Sequence, residues 1–272
     1  GKEEGGTMIR FEKAGVSFGE FKALDSLSLT IGQGEFVALI GPNGSGKSTF
    51  IRLINGLLLP TEGRVTVEGL DTARDDLFEI RKRAAALFQN PDNQIVAATV
   101  EDEVAFGPEN LMLPAEEIEK RIDDALSFVD MLQYRQHLTA NLSGGQKQRV
   151  AFASIIAMEA SAYLFDEPTS LIDVQGRKKI MEIIKRIHEK GKTVVLVSHF
   201  LEEVFLAGRI IVLHEGRILF DGTPHSLLHR SDILDILDFP LPVHLEAARR
   251  FDLECSILDL KNVAQALRRR LG

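Results

Sequence analysis

Lys47 and Ser48 close the stretch Gly41-Pro42-Asn43-Gly44-Ser45-Gly46-Lys47-Ser48, which fits the pattern G-x-x-x-x-G-K-[ST]. These residue types at this spacing bind phosphate. Glycines let the backbone turn sharply and aim successive N–H groups inward. A helix that begins at the end of such a loop adds partial positive charge. Lys47 is placed to reach the β- and γ-phosphates of a nucleotide, and the Ser48 hydroxyl to bind Mg²⁺. Read blandly, the same stretch is a glycine turn before a helix. The apolar run Phe36 to Ile40 before it and the helical spacing of Phe50, Ile51, Leu53, Ile54 and Leu57 after it favour strand, phosphate loop and helix.

Four further sites carry chemistry. Gln89 follows a strand-like stretch from Arg81 to Phe88, where an amide can reach Mg²⁺ or an attacking water; alone it is a turn amide. Ser143-Gly144-Gly145-Gln146 opens a helix with a good N-cap, and is either a second anion site or a plain cap. Asp166 and Glu167 end the apolar strand Ala162 to Phe165. Asp166 is placed to hold Mg²⁺ and Glu167 to act as a general base on water. Two surface acids in a turn would not follow a buried strand so directly. His199 lies just past the apolar strand Thr193 to Val197, the side on which ligands of α/β sheets bind. A lone histidine there is as readily structural. Phe18, just before a glycine, could stack on adenine, but read alone it is more readily a core phenylalanine at a strand end.

The elements that must position these residues follow from periodicity. Met8 to Phe18 and Leu24 to Ile31 alternate and read as strands, as does Arg64 to Glu68 after the turn Pro60 to Gly63. Thr99 to Pro108 reads as an acid-started helix. A second helix starts at Pro114 with an apolar stripe at Ile118, Ile122, Ala125, Leu126 and Val129. Lys178 to Ile187 is amphipathic, and Arg209 to Leu213 with Arg217 to Phe220 form a terminal hairpin. From Gly222 the character changes to short helical segments around Phe239-Pro240-Leu241-Pro242. A last helix, Leu260 to Leu271, ends in Arg268-Arg269-Arg270.

With 272 residues the chain can bury a large core, and its 44% apolar and 26% charged residues are ordinary for a globular protein. No apolar run is long enough to span a bilayer, and no secretory leader is seen, so a cytosolic protein is expected. A net charge of −8 argues against broad nucleic-acid binding. The one cysteine, Cys255, allows no internal disulfide. Residues 1–7, GKEEGGT, read as an expression remnant ahead of Met8.

The order of phosphate loop, Gln89, Leu142-Ser143-Gly144-Gly145-Gln146, Asp166-Glu167 and His199 resembles ATP-binding cassette (ABC) ATPases over about 8–222. LSGGQ discriminates, because kinases and GTPases share the P-loop but lack it. The resemblance implies an α/β fold. It comprises a P-loop NTPase core with a mostly parallel sheet, a small antiparallel β-subdomain, a helical signature subdomain near 90–160 and a small helical extension over 223–272. It implies ATP and Mg²⁺ as ligands, each ATP sandwiched between one subunit's P-loop and the other's LSGGQ. Phe18 then resembles the aromatic that stacks on adenine, which reverses its bland reading. Gly41, Asn43, Gly44, Ser45, Gly46, Lys47, Ser48 and Thr49 resemble the phosphate and metal residues. Gln89 resembles the Q-loop glutamine, Asp166 the metal acid, Glu167 the catalytic glutamate and His199 the switch histidine. Ser143 to Gln146 resemble the signature. Ser170 to Asp173 resembles the D-loop, except that Val174 stands where the family usually has proline.

A narrower likeness lies in Phe88-Gln89-Asn90-Pro91-Asp92-Asn93-Gln94 and in Thr99 to Asn110. These resemble the ATPase subunits of energy-coupling factor (ECF) transporters, which import vitamins or cobalt and nickel ions. The expectation is an Mg-dependent ATPase at the cytoplasmic membrane face, with no nucleic-acid partner. Its partners would be a second ATPase subunit, a transmembrane coupling subunit and a small membrane substrate-binding subunit. Two alternatives stay open: the ATPase of another importer class, and a weakly catalytic half of an asymmetric pair.

Overall fold

The computed structural model describes residues 6–238, 241–251, 253 and 260–271. Residues 1–5, Phe239-Pro240 and Cys255 lie outside the described residues. In order the elements are β1 (Thr7–Phe18), β2 (Phe21–Gly32), β3 (Phe36–Ile40), α1 (Lys47–Ile54), β4 (Glu62–Val67), β5 (Leu70–Asp71), α2 (Leu77–Arg83) and β6 (Ala84–Leu87). They continue as α3 (Val100–Asn110), α4 (Ala115–Phe128), α5 (Gly144–Ala157), β7 (Ala162–Asp166), α6 (Val174–Glu189), β8 (Thr193–Val197), α7 (Leu201–Val204), β9 (Arg209–His214) and β10 (Arg217–Gly222). The chain ends in α8 (Pro224–Leu228), α9 (Ser231–Leu237), α10 (Val243–Arg250) and α11 (Leu260–Leu271).

A six-stranded sheet runs β10-β9-β3-β8-β7-β6, parallel except for the edge strand β10. A four-stranded antiparallel sheet runs β2-β1-β4-β5. The larger sheet is covered on both faces, which is why β3, β7 and β8 are continuous apolar runs. Val37 and Leu39 of β3, with Val195 and Val197 of β8, join the core under the antiparallel sheet and α1. Their neighbours Ala38, Ile40, Val194 and Leu196 point to the other core, shared with α3 to α6. Apolar residues of α8 to α10, including Leu227, Ile233 and Leu245, pack into that second core, as does Val263 of α11.

Three expectations need correction. α1 stops at Ile54, so Leu57 is outside the helix and 52% exposed; Gly56, at φ 68°, supplies the left-handed stop. α3 does not end at Pro108 but runs to Asn110, because proline's φ suits a helix and Leu111 N–H still reaches Gly107 O at 3.1 Å. The stretch from Arg81 to Phe88 is not one strand. Asp76 caps α2 by accepting from Phe78 N–H at 2.9 Å, and β6 begins only at Ala84.

Candidate functional site

Parallel register places the functional side chains together. Leu87 pairs with Phe165, Asp166 with Val197, and Val197 with Leu39. The carboxyl ends of β6, β7, β8 and β3 are therefore level. Gln89, Asp166 with Glu167, His199 and Gly41 all leave from that one edge.

The loop after β3 needs glycine at two points. A Cβ on Gly41 would sit 2.1 Å from Leu213 O, and Gly46, at φ 102°, would bring one within 2.6 Å of Ala23 O. α1 starts at Lys47 with no side-chain cap, leaving its first N–H groups to face an anion. Lys47 is buried, and its ammonium donates to Gly41 O at 2.8 Å and Pro42 O at 3.0 Å. Burial pulls its pKa below the usual lysine value, while the Glu167 and Asp166 carboxylates pull the other way.

Asp166 is 5% exposed. Burial raises its pKa, opposed first by a hydrogen bond with the Ser48 side chain. Its Oδ1 is buried with no hydrogen-bond partner among the described residues. A desolvated carboxyl with an idle oxygen beside a hydroxyl fits a divalent cation. Magnesium in nucleotide sites takes one or two carboxylates and completes its shell with phosphate and water. No group of three or more acidic, histidine or cysteine side chains that could hold a metal occurs among the described residues.

Glu167 stands at φ 53°, a left-handed conformation uncommon for a non-glycine residue. Its N–H donates to Val197 O at 3.0 Å. His199 Nε2 meets its Oε1 at 2.5 Å, and Gln89 Nε2 donates to its Oε2 at 3.4 Å. Lys47, Ser48, Asp166, Glu167, Gln89 and His199 thus form one cluster.

Ser143 to Gln146 belong to a different surface. Ser143 caps α5 by accepting from Gln146 N–H at 3.3 Å, and Gln146 Oε1 accepts from Ser143 N–H at 2.8 Å. Gly144 and Gly145 have open space where a Cβ would lie. They line a groove of about 420 Å³ with Leu171, Ile172 and Asp173. No hydrogen bond among the described residues joins Ser143–Gln146 to Lys47, Asp166 or Glu167. Phe18 is 55% exposed at the β1–β2 turn, so its bland reading as a core residue fails. Asn43 and Gly44 are exposed, Ser45 is buried and Thr49 is half-buried. Arg268 and Arg269 are exposed on α11.

Two features escaped the sequence reading. Lys147 of α5 pairs with Asp92 at 2.7 Å, linking the segment after Gln89 to the signature helix. Glu203, in the first turn of α7, is buried against Thr169 and Ser198. The hydroxyl residues beside Glu167 and His199 were the available clue.

Residues 24–170, more than half the chain, match the ABC transporter family. The chain belongs to that family. It is an ATP-hydrolysing transport enzyme built on a P-loop cassette. Energy-coupling factor transporter ATP-binding protein EcfA1 of Symbiobacterium thermophilum is 46% identical over 252 residues, 90% of this chain and 88% of the relative. EcfA1 of Caldanaerobacter subterraneus is 44% identical over 92% of this chain and 94% of its own length. Among solved structures, CbiO1 of Clostridium perfringens, part of the ABC transporter complex CbiONQ, has TM-score 0.76 and 30% identity, covering 91% of this chain and 99% of that one. A dimeric ATP-binding cassette with ADP and Pi, in a post-hydrolysis state, has TM-score 0.71 and 33% identity, covering 79% of this chain and 98% of that one.

Proposed function

We propose that this ABC ATPase is the subunit that energises micronutrient uptake through an ECF-type membrane transporter. The observation that carries this is its similarity, at 44–46% identity over about nine-tenths of its length, to ECF ATP-binding proteins. On this reading it works as one of a pair of ATPase subunits, peripheral to the cytoplasmic face of the membrane. A transmembrane coupling subunit and a substrate-binding membrane subunit complete the transporter. No helix among the described residues is long and apolar enough to cross a membrane, so the span would be the partners'. The nucleotide-binding unit would be 8–222, with its helical subdomain near 90–160, and 223–272 an appended helical extension.

The cluster supports in-line attack of water on the γ-phosphate. The carboxylate of Glu167 takes the proton of that water. His199 and Gln89 hold this carboxylate from two sides, so its lone pair is aimed before the nucleotide arrives. Lys47 and the N–H groups at the start of α1 face the charge that develops on the phosphate oxygens. Bound magnesium would neutralise phosphate charge; Ser48, Asp166 and Gln89 are the residues that would hold it. Phe18, exposed at the β1–β2 turn, would stack on adenine. Gly144 and Gly145 would meet the partner's nucleotide.

The test is Glu167→Gln. ATP binding is retained and hydrolysis falls about 10²- to 10⁴-fold, the range for a lost general base. Wild-type turnover in that variant would remove Glu167 from the mechanism. Co-purification with an ECF-type coupling subunit, against a conventional permease, tests the transporter class.

A further inference from the structure

Glu203, four residues past His199, is 5% exposed. A carboxyl group at that depth needs partners. Its Oε2 accepts from the hydroxyl of Thr169 at 2.8 Å and from that of Ser198 at 2.7 Å. Its Oε1 is buried with no hydrogen-bond partner among the described residues. Burial raises the Glu203 pKa, and the two hydroxyls and the nearby Arg177 act against that rise. A leucine would fill this volume without desolvating a carboxyl. The acid therefore points to a need for an oxygen that two hydroxyls can share.

The positions of those hydroxyls suggest the need. Thr169 lies two residues after Glu167, and Ser198 immediately before His199. One oxygen thus ties the loop after β7 to the loop after β8, where their side chains meet at 2.5 Å. The first loop carries strain, with Glu167 at φ 53°. Such a conformation persists only where the surroundings over-determine it. Ser170 supplies one anchor, its hydroxyl donating to Glu167 O at 3.0 Å. The Thr169–Glu203 bond supplies another. On the second loop, Ser198 Oγ also accepts from Phe200 N–H at 3.0 Å, and the Arg177 guanidinium lies 3.8 Å over the Phe200 ring.

We propose that Glu203 is a positioning residue for ATP hydrolysis, its Oε2 setting the spacing between Glu167 and His199 by holding both flanking hydroxyls. This rests on the reading of Glu167 as the group that activates water. The experiment uses the full chain with its transport partners and measures kcat, ATP Kd and Tm together. Thr169→Val removes one donor at constant volume. Glu203→Leu removes the shared acceptor, and Glu203→Gln keeps one. Misplacement on this scale should lower kcat about 10-fold in Thr169→Val and about 10- to 100-fold in Glu203→Leu, with ATP Kd within about twofold of wild type. Glu203→Gln recovers most of the rate. Thr169→Val combined with Glu203→Leu is no slower than Glu203→Leu alone, since both break one unit. Wild-type kcat in Thr169→Val and Glu203→Leu overturns the proposal. So do losses that follow ATP affinity and Tm and add in the double variant. Glu167→Gln, assayed alongside, separates the two readings. If it hydrolyses normally, the role of Glu167 fails and takes this proposal with it. If it is inactive while Glu203→Leu is not, only the role of Glu203 fails.

Discussion

A Cβ on Gly46 would meet both Ala23 O and Leu24 Cδ2 at 2.6 Å, whereas a Cβ on Gly144 or Gly145 would meet nothing within 4 Å. Gly41 and Gly46 are small because their own chain crowds them, and Gly44, at φ 79°, because of its left-handed backbone; Gly144 and Gly145 have neither reason. The P-loop cluster is closed around itself, with Lys47 on two loop carbonyls and Glu167 held by Gln89 and His199. The signature turn satisfies itself through its capping box and leaves its glycines bare. Small residues with nothing against them on their own chain suit a surface that something else approaches closely. One chain would then hold half of each of two nucleotide sites.

The sharpest way to break this comparison is complementation. Lys47→Ala disables the closed half and Gly145→Glu the open half. Each homogeneous protein should hydrolyse ATP at about 1% of wild type or less, having lost charge stabilisation or closure at both sites. Mixing them in equal amounts should restore about a quarter of wild-type activity, because half of random pairs hold one site with both halves intact. A mixture no better than its components would show that these chains do not complete each other's sites.

The contrast in crowding is tested next by Gly46→Ala. The left-handed φ of 102° and the 2.6 Å contacts would both have to be relieved. Loss of about 1–3 kcal/mol of stability is expected, the usual scale of backbone strain, with ATP binding weakened because α1 and its loop shift. Thermal unfolding and nucleotide titration read the two effects separately.

These halves were not equally legible in the sequence. Gly41 to Ser48 could be read because its determinants are consecutive and its flanks show two clear periods. Asp166 and His199 were legible as the residues that end or follow wholly apolar strands. Glu203 was not, since its partners lie 34 and 5 residues away and only the fold brings Thr169 and Ser198 to one oxygen. α2 was missed for want of signal: Leu77, Phe78 and Ile80 are too few to set a helical period, and the capping Asp76 lies in an acidic run. Pro108 misled as a stop, because backbone hydrogen bonding past a proline depends on tertiary packing.

Asp166 supplies a smaller effect of opposite sign. Burial lifts its folded-state pKa above the ordinary aspartate value. Its stabilising contribution is therefore full below that ordinary value and is lost as pH rises through the folded-state pKa. At neutral pH, without nucleotide or metal, the charged side chain costs stability. Asp166→Asn should be the more stable protein there, by about 1 kcal/mol on the scale of a buried unsatisfied polar group. The difference should shrink as pH falls, and ATP hydrolysis should be lost. A variant less stable than wild type at neutral pH would mean that the Ser48 hydrogen bond outweighs burial.

Gly145→Ala should have the smallest effect on the fold and asks the most of the comparison. Gly145 lies in the first turn of α5, and its φ is not positive. Alanine therefore enters without strain, and the unfolded chain loses freedom, so stability should rise by about 0.5 kcal/mol. The new methyl group would touch nothing in its own chain. If the open face exists to meet a partner's phosphate, that same methyl group should lower turnover several-fold while Tm rises. Stability and activity would then move in opposite directions at one atom, which a purely local role for the glycine cannot produce. Unchanged turnover with a higher Tm would instead make Gly145 only a poor helix former and leave Ser143 and Gly144 to carry any contact across the interface.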